Sequence, residues 1–277
     1  MLRLVARLLI LLLLTLVTQI GGIAYLASLG LARLLRLNAL WPRLGLFMLC
    51  YGVATLTAIL VAPSFGRVPL PCLAGNERLA AQSPLYCVLN RNFVVPELRD
   101  AALALAAQVD SQFPGTTTLV LDGGFPLPGG MPLLPHLSHG DGRALDVAYY
   151  YEDAEGRFRD GVTRSPIGYF AFEQPAAGTK LPCPAQPSGL SLRWDFEVLQ
   201  PLFPNYRLEP KRTAAALRWL ATEGARRFGV RSVFIEPHLK QALGVASDRI
   251  RFQGCRAARH DDHLHVHLGQ YAGSGGV

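Results

Sequence analysis

The first 76 residues contain no aspartate or glutamate, and this absence restricts the N-terminal fold more than any other feature. Two uncharged runs bounded by arginines lie there, one at residues 8–32 and the other at residues 44–66. A helix needs about 20 apolar residues to cross a bilayer, so each run is long enough. The sequence therefore predicts a transmembrane hairpin at residues 1–66, followed by a separate domain at residues 67–277.

A cleaved signal peptide is the alternative for the first run, because Ala24-Tyr-Leu-Ala27 is similar to a small-residue cleavage site. The length of the run and the presence of a second run favour the hairpin. A buried pair of core helices would need a polar face, which neither run has. Arginines lie on both sides of each run, so the positive-inside rule favours a cytoplasmic connecting loop only slightly.

Two histidine motifs in the C-terminal domain indicate a metal site. The first is His139-Gly-Asp-Gly-Arg-Ala-Leu-Asp146, and the second is His260-Asp-Asp-His263-Leu-His265. Catalytic zinc takes about three ligands from histidine and carboxylate and leaves one position for water. His139, Asp146 and His265 have this chemistry.

The spacing within each motif explains how these side chains can meet. If residues 145–150 form a strand, the preceding glycine-rich segment is a turn that folds His139 back toward Asp146. On a second strand, alternation places His263, His265 and His267 on one face. One of these histidines can then bind metal while its neighbour handles protons. We expect His267, one step further along, and His238, near a helix start, not to be ligands.

The two motifs resemble those of the zinc peptidase superfamily of lysostaphin, D-Ala-D-Ala carboxypeptidases and Sonic hedgehog. The additional His136 and His260 make the chain most similar to penicillin-insensitive murein endopeptidases, which cut D-alanyl cross-links of bacterial peptidoglycan. The resemblance implies Zn²⁺ bound by His139, Asp146 and His265. It also implies a catalytic or transition-state-stabilising role for His263, with His260 and His136 close by.

Several other polar residues are candidates for roles around this site. Glu236 is an alternative to His263 as the proton acceptor. Arg143, Arg256 and Arg259 are candidates for holding a substrate carboxylate, and ordinary ion pairs with Asp261 or Asp262 are the equal alternative. We therefore assign His263 and His260 as catalytic and Arg143, Arg256 and His136 as substrate-binding.

The cysteines bear on the cellular compartment. Four lie outside the uncharged runs, at Cys72, Cys87, Cys183 and Cys255, an even number that suggests two disulfides and an oxidising compartment. Of the three possible connectivities we favour 72–87 with 183–255, since it joins near neighbours first; four reduced thiols are the alternative. With the resemblance, this predicts a domain on the extracytoplasmic side of a bacterial inner membrane.

Charge and pattern define the domain class. Six of the 27 basic residues precede residue 77, so the rest of the chain has 21 basic and 20 acidic residues and is nearly neutral. A nucleic-acid role therefore has no support. Helical spacing at residues 96–108 and 209–228, mixed with short strand patterns, predicts an α+β domain with a small antiparallel sheet that carries the zinc site and is flanked by helices.

Two functions follow from these observations. The first is a membrane-anchored zinc metallopeptidase that hydrolyses cross-links or stem peptides of peptidoglycan, with the D,D-endopeptidase reaction favoured. The second is a zinc-binding envelope domain that binds a wall fragment or another partner without cleaving it. Retention of His263 together with His260 favours the enzyme, because a structural site needs only its ligands.

Overall fold

The computed structural model describes residues 1–133, 137–168, 170–183, 193–194 and 196–269. Over these residues the protein is mixed α and β, with three helices at the N-terminus followed by a domain in which helices cover a sheet.

The helices vary from one turn to six. In chain order they are α1 Leu2–Thr18, α2 Gly21–Leu34, α3 Leu40–Val61, α4 Pro84–Val88, α5 Pro96–Gln112, α6 Pro210–Trp219, α7 Ala225–Phe228 and α8 Pro237–Ala242. Three 3-10 turns lie at Ala62–Phe65, Leu137–His139 and Glu197–Leu202, and a π turn, Leu220–Gly224, joins α6 to α7.

The strands are short. They are β1 Val68–Pro69, β2 Leu79–Ala81, β3 Phe93–Val94, β4 Thr118–Val120, β5 Ala144–Ala148, β6 Tyr151–Glu152, β7 Phe158–Arg159, β8 Arg207–Leu208, β9 Val230–Phe234, β10 Ile250–Arg251 and β11 His263–Leu268.

The prediction of one continuous helix over residues 8–32 is wrong. α1 ends at Thr18, and Gln19 takes a left-handed φ of 64°, which turns the chain back before α2 begins. A Cβ atom at Gly22 would lie 2.0 Å from the Thr15 hydroxyl oxygen, so glycine is what allows α2 to pack closely on α1. Among the described residues one helix, Leu40–Phe65, is long and apolar enough to cross a membrane by length and composition.

The N-terminal helices are joined to the domain by two sets of hydrogen bonds. Gln19, at the tip of the α1–α2 pair, donates to the Leu127 carbonyl at 2.8 Å and accepts from the Leu127 N–H at 2.9 Å. The Tyr51 hydroxyl, in the middle of α3, donates to the Val88 carbonyl at 2.6 Å. Both the α1–α2 tip and the middle of α3 therefore contact the domain.

The main sheet is larger than predicted and is mixed rather than antiparallel. It has six strands in the order β10-β9-β11-β5-β4-β2. The four central strands are antiparallel, and β10 and β2 pair in parallel with β9 and β4. Parallel neighbours need a crossover connection. Here α8 lies between β9 and β10, and α5 lies in the connection between β2 and β4.

The two faces of this sheet have different roles. Leu145, Val147, Leu264 and Val266 lie in the apolar core together with side chains of α5 and α6. Asp146 lies between Leu145 and Val147 in β5 and therefore on the opposite face, because successive side chains of a strand alternate. The sheet thus separates the core from the polar site.

Two further predictions are confirmed. The helical pattern at residues 96–108 corresponds to α5, and the pattern at 209–228 corresponds to α6, the π turn and α7. Both disulfides have the favoured connectivity, Cys72 with Cys87 and Cys183 with Cys255.

Candidate metal centre

The turn before β5 places His139 beside Asp146. Gly142 has a φ of +68°, and a Cβ atom there would lie 1.1 Å from Nη1 of Arg67, so only glycine fits. Nη2 of the buried Arg67 donates to the Gly140 carbonyl at 3.1 Å. The first residue of the predicted domain therefore fixes the turn that carries His139.

The β5–β11 register brings the third side chain into place. His265 lies directly opposite Asp146, and Nδ1 of His265 is 2.6 Å from Oδ1 of Asp146. Nε2 of His139 is 3.4 Å from the same oxygen. The ligand atoms of the three residues all lie within 4.8 Å of one another, and all three side chains are buried. This group can hold a metal ion.

Hydrogen bonds behind the group orient its imidazoles. Nδ1 of His139 lies 2.5 Å from the Gly123 carbonyl oxygen, which can only accept. Nδ1 therefore carries a proton, and Nε2 is the nitrogen that faces the site. Nε2 of His265 lies 3.2 Å from the Ser138 hydroxyl, which leaves Nδ1 for the site. Such outer contacts are typical of metal-binding histidines.

His263 adjoins the group but is held by a different carboxylate. Its Nε2 lies 3.5 Å from Oδ1 of Asp146, and its Nδ1 lies 2.6 Å from Oδ1 of Asp262. The other Asp262 oxygen accepts from the Ser165 hydroxyl at 2.5 Å and from the Phe170 N–H at 2.7 Å. Sequence reasoning treated Asp262 only as an arginine partner; its position directly before His263 was the available signal.

A second possible metal group shares His265 and adds His260 and His263. The His260 ring lies 5.0 Å from that of His263 and 5.2 Å from that of His265, measured between centroids. The His260 N–H donates to Glu236 at 3.3 Å, and Glu236 also accepts from Arg193 at 3.0 Å. Glu236 is thus engaged in positioning the His260 backbone, which speaks against it as the proton acceptor.

The electrostatics distinguish the three histidines. Burial lowers the pKa of His265 to about 3, and the Asp146 carboxylate opposes this only in part. Burial is also the largest single influence on His139 and His263 and disfavours their charged forms, but several partners together outweigh it. Asp146 and Asp122 raise the pKa of His139, and Asp146 with Asp262 raises the pKa of His263 to about 9. His265 is therefore neutral, as a metal ligand must be, whereas His139 would release its proton when it binds a metal ion. His263 favours its protonated form in the same way.

The arginines considered for substrate binding have different surroundings. The Arg143 guanidinium donates to the Gly269 carbonyl at the end of β11, and Arg256 is exposed. Arg259 pairs with Asp261 at 3.1 Å, which is the ion-pair alternative. His136 lies outside the described residues.

The two histidines expected not to be ligands lie at the edge of the site or away from it. Nε2 of His238, in the first turn of α8, is 2.7 Å from the Glu173 carbonyl oxygen. His267 is partly exposed on the face of β11, with its ring centroid 4.9 Å from that of His265.

The sequence matches no family model, and no curated protein matches it. The chemistry of the donor set therefore carries the argument. Two imidazole nitrogens and one carboxylate oxygen, buried and convergent, fit zinc and related divalent transition metals.

Proposed function

We propose that the protein is a membrane-anchored zinc metallopeptidase that hydrolyses the peptides of bacterial peptidoglycan, with D,D-endopeptidase cleavage of cross-links favoured. The observation that carries the proposal is the convergence of His139, Asp146 and His265 with His263 at their margin. Resemblance of the two motifs to murein endopeptidases supplies the substrate class. The disulfides and the apolar α3 support an extracytoplasmic domain at the inner membrane.

His139, Asp146 and His265 would hold the ion. Bound zinc supplies Lewis-acid chemistry and a nucleophilic water at neutral pH. Asp262 holds Nδ1 of His263, and Nε2 of the same ring faces Oδ1 of Asp146, beside the proposed ion site. As an imidazolium, its Nε2–H donates to the oxyanion that develops on the scissile carbonyl, or passes the proton to the leaving amine nitrogen. His260 packs against His263 and restricts its ring.

The first test is metal content. The purified protein should contain about one zinc, and Asp146→Ala or His265→Ala should lose it, because each removes one of three ligands. His267→Ala is the matched control, since His267 lies on the same strand face. Retention of full zinc by both ligand variants, with loss in the control, would contradict the ligand set.

The second test is activity on whole peptidoglycan, read as new amino groups and as the identity of the released fragments. A protein that binds zinc and peptidoglycan but releases no amino groups would favour the non-catalytic binding domain. The zinc measurement and the activity measurement thus separate the site from the reaction.

A further inference from the structure

A cavity of about 510 Å³ lies between the C-terminal half of α3 and the domain, and its lining shares no residue with the metal centre. Thr55 and Ile59 of α3 form one wall. The other walls include residues 69–72, the loop that leads into β3, and α5. The volume is within the range of small-molecule sites.

The walls of this cavity are braced to one another. The Cys72–Cys87 disulfide joins the segment after β1 to α4, and both cysteines line the cavity. Nδ2 of Asn90 donates to the hydroxyl oxygens of Tyr51 and Thr55 on α3, at 2.9 and 3.3 Å. The cavity is therefore preformed, and its position against α3 is fixed.

Two polar atoms of the lining residues are buried and make no hydrogen bond within the described part of the chain. One is Oδ1 of the fully buried Asn90, which can only accept. The other is Nε of Arg99, which can only donate. Buried polar atoms are rarely left without a partner, because this costs free energy. A ligand that offers both a donor and an acceptor would satisfy the two side chains.

The charged side chains of the described lining are one cation and one anion, Arg99 and Glu77. Arg99 lies 3.5 Å from Asp100, but this pair is partly exposed and therefore weak, so the guanidinium can bind an anion. Glu77 is exposed and thus lies at the mouth of the cavity. Guanidinium groups match phosphate geometry, and carboxylates bind ammonium groups. The pair fits a ligand that carries both a phosphate and an ammonium group.

The cavity lies where α3 would leave a membrane. A hydrocarbon core about 30 Å thick takes about 20 helical residues, so a core that begins in the first turn of α3 ends at about residues 60–63. Ile59 lies at this edge, Thr55 lies about one turn inside it, and residues 69–72 lie beyond it. The cavity therefore spans the level at which lipid headgroups begin.

From this geometry we infer that the cavity binds the headgroup of a phospholipid that carries both a phosphate and a primary ammonium group, as phosphatidylethanolamine does. Arg99 recognises the phosphate, and the acceptors Glu77 and Asn90 recognise the N–H groups of the ammonium. A choline headgroup has no N–H to donate, and a glycerol headgroup has no positive charge for Glu77. The inference rests on the proposed membrane anchoring, and it does not require catalysis.

The experiment uses the full chain in nanodiscs that contain equal amounts of phosphatidylethanolamine, phosphatidylcholine and phosphatidylglycerol with the same acyl chains. Native mass spectrometry measures which lipids remain bound after release from the nanodisc. The wild type should retain phosphatidylethanolamine about tenfold over the other two. Arg99→Gln should lower that retention about tenfold, and Glu77→Gln should remove the preference over phosphatidylcholine, each equivalent to about 1.4 kcal/mol.

The matched controls are Arg218→Gln and Glu155→Gln, which make the same charge changes at exposed positions outside the cavity lining. Both should retain lipids as the wild type does. Equal retention of the three lipids by the wild type, or a preference for phosphatidylglycerol, would overturn the inference. Retention in Arg99→Gln and Glu77→Gln that equals that of their controls would do the same. The wild-type comparison decides even where a variant fails to fold.

A competition arm distinguishes a lipid from a soluble ligand of the same chemistry. Glycerophosphoethanolamine has the same headgroup without acyl chains, and it should not displace the lipid when added at the same concentration. Displacement would identify a soluble ligand and overturn the lipid assignment. Sedimentation of the full chain with membranes tests the anchoring separately. A protein that is anchored but binds the three lipids equally contradicts the cavity inference alone, and a lack of peptidoglycan cleavage contradicts the peptidase proposal alone.

Discussion

Substitution of His263 should distinguish zinc binding from catalysis. His263 lies within 3.5 Å of Asp146 but is held by Asp262, so it is not needed to complete the ligand set. His263→Ala should therefore keep zinc and fold, and lose about a hundredfold or more in hydrolysis rate, the usual size of proton-transfer contributions. Elemental analysis and initial rates on peptidoglycan measure the two effects. Loss of zinc from His263→Ala would instead support the group formed by His260, His263 and His265.

A second residue-scale prediction concerns pH and Glu173, a partly buried carboxyl near Arg164. Burial raises its pKa from 4.5 to about 7, against the attraction of Arg164. The folded state therefore binds this proton more tightly than the unfolded state, and the stabilisation is complete below about pH 4.5 and disappears as pH rises to about 7. Glu173→Gln should remove up to about 3 kcal/mol of this pH dependence.

Denaturant unfolding of both proteins at several pH values measures the Glu173 effect. The wild-type free energy of unfolding should fall relative to that of Glu173→Gln between about pH 4.5 and 7. Parallel curves for the two proteins over that range would contradict a raised pKa for Glu173.

Residues close together in a motif could be predicted, and those joined across the chain could not. The turn that joins His139 to Asp146 and the strand face of His265 follow from short-range pattern. The meeting of Asp146 and His265, 119 residues apart, was expected only from the resemblance. Asp262 and Ser165 are 97 residues apart, and no local pattern links them. Arg67 is similar, since its contact with Gly140 depends on where the end of α3 meets the domain.

At the scale of elements, regular periodicity was sufficient for α5, for the helical stretch that begins at α6 and for the central strands. The parallel pairing of the outer strands was missed, because two-residue β10 and three-residue β2 carry too little pattern to show a pairing direction. The break between α1 and α2 was missed because the run carries no charge, although Gln19 and the Gly21-Gly22 pair interrupt its apolar sequence. That break involves Gln19 and its contact with Leu127, 108 residues away.

The Gln19 contact gives a prediction for these elements. Gln19→Leu removes the hydrogen-bond partners of both the Leu127 carbonyl and the Leu127 N–H. Leaving these groups unsatisfied should lower the free energy of unfolding by about 1–3 kcal/mol. Hydrogen exchange at the Leu127 amide should accelerate accordingly. Thr57→Val is the control, since the exposed Thr57 hydroxyl donates within its own helix, to the Val53 carbonyl. Unchanged exchange in Gln19→Leu would show that the tip does not hold this loop.

For the whole molecule, the break at Gln19 changes the side of the membrane on which the N-terminus is expected. α1 runs toward the domain, α2 folds back on it, and α3 returns to the domain. The N-terminus and the loop between α2 and α3 therefore lie at the same end, opposite the domain. All the arginines before Arg67 belong to that end: Arg3, Arg7, Arg33, Arg36 and Arg43. The positive-inside rule, which barely distinguishes the sides of a two-span hairpin, then favours a cytoplasmic position for this whole end.

This orientation can be tested by labelling single cysteines in a Cys50→Ser background with a membrane-impermeant maleimide in spheroplasts. Glu155→Cys, exposed on the domain, should be labelled at once. Leu2→Cys and Asn38→Cys should be labelled only after the membrane is permeabilised. A two-span hairpin would place residue 2 on the same side as the domain, because two crossings return the chain to its starting side. Labelling of Leu2→Cys in intact spheroplasts, with Asn38→Cys still protected, would therefore support two spans and reject the folded-back arrangement of α1 and α2 in the membrane.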